Sequence, residues 1–194
     1  MKLYYAPGAC SLADHIALHE AGLSFDREKV DLRAKRTESG ADFASINPKG
    51  YVPALVLDSG ETLSENIAIL DWVAHRNESL MPSGPLGHTH LIEALAFIST
   101  EIHKSFKPFF TGGTEEEKER AGEMIGRRMT YLAETMAGDY LFGPNVSVAD
   151  FYLFVMLLWA GRNEIAVPDR LAGYRDRMME LPSVQTAMRH EGLI

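Results

Sequence analysis

The chain has 194 residues, 46% of them hydrophobic and 24% charged, with 27 acidic against 19 basic side chains and a formal net charge of -8. That is ordinary globular composition, sufficient for one generous domain or two small ones. The acid excess and the lack of any lysine- or arginine-rich run exclude a protein that works by neutralising nucleic-acid phosphates or anionic lipid, and no apolar stretch approaches the ~20 residues of a membrane span.

The opening MKLYYAPGAC lacks the apolar core of a secretory signal, and a single cysteine cannot close an internal disulfide, so a cytoplasmic location is expected. Lys2 to Tyr5 reads as a short strand ended by the Pro7-Gly8 turn, and Cys10 to Ala21 as a helix with Leu12 and Ile16 at helical spacing and Gly22 as its stop. A second strand over Ser24 to Asp31 completes a βαβ unit, whose parallel pairing requires such a crossover. Leu32 to Phe43 is polar and predicts a loop with a short helix. After Asn47-Pro48-Lys49-Gly50-Tyr51-Val52-Pro53, the apolar Ala54 to Leu57, the turn Asp58-Ser59-Gly60 and the return through Leu63 predict an antiparallel hairpin. Ser64-Glu65-Asn66 opens a helix running through Ile67, Leu70 and Val73. The predicted order is β-α-β-α-β-β-α, an α/β domain over residues 1–77.

Residues 78–87 are rich in proline, glycine and serine and read as a linker; from 88 to 194 the periodicity is purely helical, predicting an all-α domain. Leu91, Leu95, Ile98, Ile102 and Phe106 form one apolar stripe of a long helix, Glu115 to Met136 gives a second helix with an acidic opening, and three more follow. Ser147-Val148-Ala149-Asp150 reads as a structural N-cap. The helix behind it is apolar nearly all round and is expected at the centre of its domain.

Cys10 stands where the first turn becomes a helix. A lone cysteine is often an inert, packed hydrophobe, but at this position helix N–H groups and the helix dipole favour a reactive thiolate. Val52-Pro53 precedes a strand expected to lie centrally, where proline is tolerated only at the first residue. A cis bond there would leave the Val52 N–H and C=O to pair with an extended peptide; a trans proline in a loop is the ordinary alternative. Ser64, Glu65 and Asn66 suit an amino-acid head group, the helix N–H groups for its carboxylate and Glu65 for its ammonium, and suit plain capping equally. His103 and Lys104 lie late in the long helix, with His103 at the edge of the stripe. His15 and His19 stand four residues apart, yet no third ligand joins them in sequence, so no metal is expected.

Taken together, Tyr5-Ala6-Pro7-Gly8-Ala9-Cys10-Ser11, Asn47-Pro48-Lys49-Gly50-Tyr51-Val52-Pro53, Leu63-Ser64-Glu65-Asn66 and Ser147-Val148-Ala149-Asp150 resemble the cytosolic glutathione transferases. Cys10 and Glu101-Ile102-His103-Lys104 make the likeness one to the bacterial beta class, and it covers essentially the whole chain. It implies a thioredoxin-like first domain, a helical second domain carrying an electrophile pocket, glutathione as co-substrate, and a homodimer with its sites near the subunit interface. Ala9 and Cys10 would lie by the glutathione sulfur, with Tyr51, Val52 and Pro53 along the cysteinyl backbone. Glu65 and Asn66 would hold the γ-glutamyl end, and Lys35 would reach the glycine carboxylate. His103 would border the electrophile pocket beside Lys104, and Glu101 would approach the glutathione ammonium of a partner subunit. Asn66, Ala96 and Tyr51 depart from commoner family residues.

The implied reaction is attack of the glutathione thiolate on a small apolar electrophile, with Cys10, Ser11 and His103 as catalytic candidates. Two other readings compete with it. Cys10 would form a mixed disulfide with glutathione and serve thiol–disulfide exchange or peroxide reduction, or the protein would carry apolar ligands without catalysis.

Overall fold

The computed structural model describes residues Met1–Ile194 and divides them into two compact units, Met1–Glu78 with Glu180–Ile194, and Ser79–Met179. No helix is long and apolar enough to cross a membrane.

In the first unit, strand β1 (Lys2–Tyr5) leads through the Pro7-Gly8 turn into helix α1 (Ser11–Glu20), and β2 (Asp26–Asp31) returns to pair in parallel with β1. Then come β3 (Arg36–Thr37), β4 (Ala54–Val56), β5 (Thr62–Ser64) and α2 (Asn66–Ala74). The sheet order is β3-β2-β1-β4-β5, with β4 antiparallel to both β1 and β5. The helix expected within residues 32–43 is absent. Asp31 Oδ1 instead accepts the N–H groups of Arg33 and Ala34, β3 adds an edge strand, and only a 3₁₀ turn forms at Phe43–Ser45. The local acceptor favours a turn over a helix there, and the buried Phe43 ring then anchors the segment against Tyr4, Val30 and Ala54.

The C-terminal segment departs from the expected division of the chain. Helix α8 (Pro182–His190) clusters with the first unit and packs on α1, burying Val184, Ala187 and Met188. An amphipathic helix states that it has a partner and not which one.

The second unit is helical: α3 (Gly87–Phe97), α4 (Lys107–Phe110), α5 (Glu115–Thr135), α6 (Val148–Arg162) and α7 (Asp169–Glu180). The predicted stripe of Leu91, Leu95, Ile98, Ile102 and Phe106 is fully buried, but the helix carrying it is not continuous. After α3 the backbone widens into a π turn at Ile98–Ile102 and tightens to 3₁₀ at His103–Phe106. Pro108 has no N–H to give the Lys104 carbonyl and its ring crowds that carbonyl, so the α ladder cannot run through. At the start of α6, Asp150 is buried and accepts from the Ser147 N–H (2.8 Å), the Ser147 hydroxyl (2.6 Å), the Leu141 N–H (2.9 Å) and the Tyr174 hydroxyl (3.0 Å). That motif is structural, as expected.

Candidate active site

The first unit gathers three loops around Cys10. The turn after β1 places Gly8 at φ +67°, a left-handed conformation suited to glycine, and the Gly8 N–H donates to Glu191 Oε2 at 2.8 Å. Cys10 then caps α1 without a side-chain capping bond, its sulfur 3.7 Å from the Val52 carbonyl oxygen. The Val52–Pro53 peptide is cis. Tyr51 is held from behind, its carbonyl accepting the Asn47 side-chain amide at 2.7 Å. The Val52 N–H has no acceptor within the protein, and the Cys10 thiol is the one group of the protein that approaches its C=O.

Burial, then the Asp14 carboxyl one turn on, push the Cys10 thiol up to about 12; the N–H groups of Cys10 and Ser11 act the other way and are outweighed. The expected thiolate is therefore a neutral thiol in the free chain. The helix mouth behaves as anticipated, but desolvation of a sulfur that also faces an acidic neighbour wins. Asp14 itself is fully buried with neither carboxyl oxygen hydrogen-bonded, and burial raises its pKa well above the carboxylate range.

Ser11 does not take the position of a thiol activator. It is fully buried, its Oγ accepting the Ala6 N–H at 3.3 Å and lying 3.5 Å from the Ala6 carbonyl, so it fixes the turn. Ala9 stands half-buried beside Cys10, and its N–H closes the turn onto the Ala6 carbonyl at 3.0 Å.

On the third loop Glu65 caps α2 at φ +78°, ψ 125°, a region a non-glycine residue occupies only where its surroundings hold it. Its Oε1 accepts from Lys49 Nζ at 2.5 Å and from the Tyr51 hydroxyl at 2.6 Å. Asn66 is buried, and its side-chain amide donates to the Cys10 carbonyl at 2.9 Å, bolting the start of α2 to the start of α1. Lys35, exposed and itself at φ +55°, reaches the Gly50 carbonyl at 2.5 Å. The structure thus brings Ala9, Cys10, Tyr51, Val52, Pro53, Glu65 and Asn66 around one place, with Lys35 on the adjoining Gly50 loop. Asn47 and Lys49, part of the 47–53 motif, receive no site role from the sequence, and the structure gives them supporting ones. The signal for them was the Asn-Pro-Lys-Gly turn itself, in which Asn47 Oδ1 also accepts the Lys49 N–H at 3.2 Å.

Glu101, His103 and Lys104 belong to the second unit. His103 is no loose edge residue: Nδ1 lies 2.6 Å from the Tyr152 hydroxyl, and its ring meets the Trp159 ring edge-to-face at 4.9 Å. Burial, helped by Lys104, lowers its pKa to about 4. Glu101 pairs with Arg128 at 2.8 Å, and Lys104 is exposed.

The chain matches the family model for the glutathione S-transferase N-terminal domain over residues 9–76 and that for the C-terminal domain over residues 90–182. It is 40% identical, over all of both chains, to glutathione S-transferase GstA of Escherichia coli O157:H7. Among solved structures it is similar to a beta-class glutathione S-transferase of Sphingomonas chungbukensis and to a sphingomonad glutathione S-transferase complexed with glutathione. Each shares 43% identity, complete coverage of both chains and a TM-score of 0.91.

Proposed function

The chain belongs to the glutathione S-transferase family, and from that premise we propose that it conjugates glutathione to small apolar electrophiles at the Cys10 site. The observation that carries the reading is the Val52 backbone, whose N–H lacks an acceptor and whose C=O meets only a weak thiol donor, 3.7 Å from the Cys10 sulfur. An extended tripeptide satisfies both groups as an added strand would. Its γ-glutamyl ammonium then falls to the Glu65 carboxylate, its α-carboxylate to the first N–H groups of α2, and its glycine carboxylate to Lys35.

The neutral Cys10 thiol is a donor. It and the N–H groups at the head of α1 stabilise the glutathione thiolate, whose proton is released to solvent. The thiolate attacks the electrophilic carbon, a carbon–sulfur bond forms, and in a substitution the carbon–halogen bond breaks with loss of halide. The raised Cys10 pKa disfavours the disulfide-exchange reading, which needs Cys10 as nucleophile. The helical unit supplies the electrophile pocket, with His103 against Trp159 in its wall, Lys104 beside it and Glu101 serving the partner subunit of a homodimer in the cytoplasm.

The test is steady-state conjugation of glutathione to an aryl halide by the wild type, Cys10→Ala and Ser11→Ala. Turnover by the wild type, with Cys10→Ala keeping activity within about tenfold, supports a donor role. Absence of turnover in folded wild-type protein that binds glutathione would sink the reading.

A further inference from the structure

Where α8 packs on α1, three imidazoles meet outside the Cys10 site. One donor nitrogen from each of His15, His19 and His190 lies within 4.8 Å of the others. His15 is fully buried, and its Nδ1 stands 2.9 Å from Glu191 Oε1. A carboxylate can only accept, so Nδ1 carries the proton and Nε2 presents a lone pair. That Nε2 is buried and has no hydrogen-bond partner. Native proteins rarely leave such an atom idle.

His19 follows His15 by one helical turn and so shares its face of α1. Its Nε2 faces His190 Nδ1 at 3.3 Å. In tetrahedral zinc sites the metal–nitrogen distance is about 2.0–2.1 Å, which sets neighbouring ligand nitrogens about 3.3 Å apart. One edge of that tetrahedron is already in place. The rings of His19 and His190 are partly exposed and stack on the His15 ring at 5.1 and 5.6 Å, so metal binding requires them to turn their lone pairs inward. Glu191 meanwhile holds the tautomer of His15 as a carboxylate behind a metal-ligating histidine does.

We infer that His15, His19 and His190 bind one borderline divalent cation, zinc by chemical preference, with water in the fourth position, and that the ion clasps α8 onto α1. Three imidazoles suit zinc over magnesium or calcium, which prefer oxygen ligands. Arg27 lies near all three rings and opposes a cation; the Glu191 carboxylate offsets it. In the sequence the His15–His19 pair lacks a third ligand, and the fold brings His190 to it.

The experiment titrates chelator-treated full-length protein with zinc against a chromogenic zinc chelator, in the wild type, His19→Ala, His190→Ala and the control His90→Ala, an exposed histidine outside the cluster. The expected result is one zinc of this affinity per chain, bound at least tenfold more weakly by His19→Ala and by His190→Ala and unchanged in His90→Ala. Zinc should also raise the thermal midpoint of the wild type and not of the first two variants. His15 is left intact because it lies in the packed face of α1. Failure of folded wild-type protein to bind zinc, or equal affinity in the wild type and both variants, overturns the assignment. So does a loss in His90→Ala as large as theirs.

Discussion

Glu191, beyond α8, accepts the Gly8 N–H at 2.8 Å through one carboxylate oxygen while the other meets His15 Nδ1 at 2.9 Å. The turn that presents Cys10 is therefore tied to the far end of the chain, inside the same unit. Glu191→Ala removes both of these bonds, and a hydrogen bond to a charged group is worth about 1.5–3 kcal/mol. It should lower the thermal midpoint by several degrees and weaken glutathione binding, read by calorimetry. Unchanged stability would show that the turn holds itself.

Cys10 offers a pH test. With its pKa pushed up to about 12, the thiolate fraction rises tenfold for each pH unit across the neutral range. Alkylation of the free protein by iodoacetamide should rise with that slope from pH 7 to 9. A plateau in that interval would mean a thiolate already formed.

Glu65 is placed to bind an ammonium, and Lys49 with Tyr51 orient its carboxylate. Glu65→Gln should weaken glutathione binding at least tenfold, since a hydrogen bond to a charged group is worth about 1.5–3 kcal/mol. Tyr51→Phe should weaken it by a smaller factor, because it removes a support and leaves the charge. Equilibrium binding measures both.

His103 enters folding with its pKa lowered to about 4 from an ordinary 6.5, mainly through burial. The folded state prefers the neutral ring, so stability from this group is intact above pH 6.5. It is lost as the pH falls toward 4, where the unfolded chain takes the proton first. Asp14 and Asp150, whose pKa values are raised by burial, act in the opposite sense, and a comparison of variants cancels them. His103→Gln should therefore gain about 1 kcal/mol on the wild type for each pH unit below 6.5, by urea denaturation. A pH-independent difference would place a protonated ring in the folded protein.

Much of this was legible in the residues. The strand-turn-helix ending at Glu20, the hairpin after Pro53 and the buried stripe from Leu91 to Phe106 all follow from spacing and turn residues. Val52, Glu65 and Asn66 were marked by their positions at a strand entry and a helix start. What escaped depends on contacts distant in sequence. Asp31 and Phe43 replace the expected helix with a turn, α8 chooses α1 as its partner, and His190 arrives beside His15. The direction of the Ser11 hydroxyl and the burial around Cys10 are also tertiary facts that local spacing does not show.

The most direct measurement is a crystal structure of the protein with glutathione. The cysteinyl backbone should pair with the N–H and C=O of Val52, the γ-glutamyl group should lie on Glu65 and Asn66, and the sulfur should sit beside Cys10 without a bond to it. Glutathione bound away from Val52, or joined to Cys10 through a disulfide, would contradict the account.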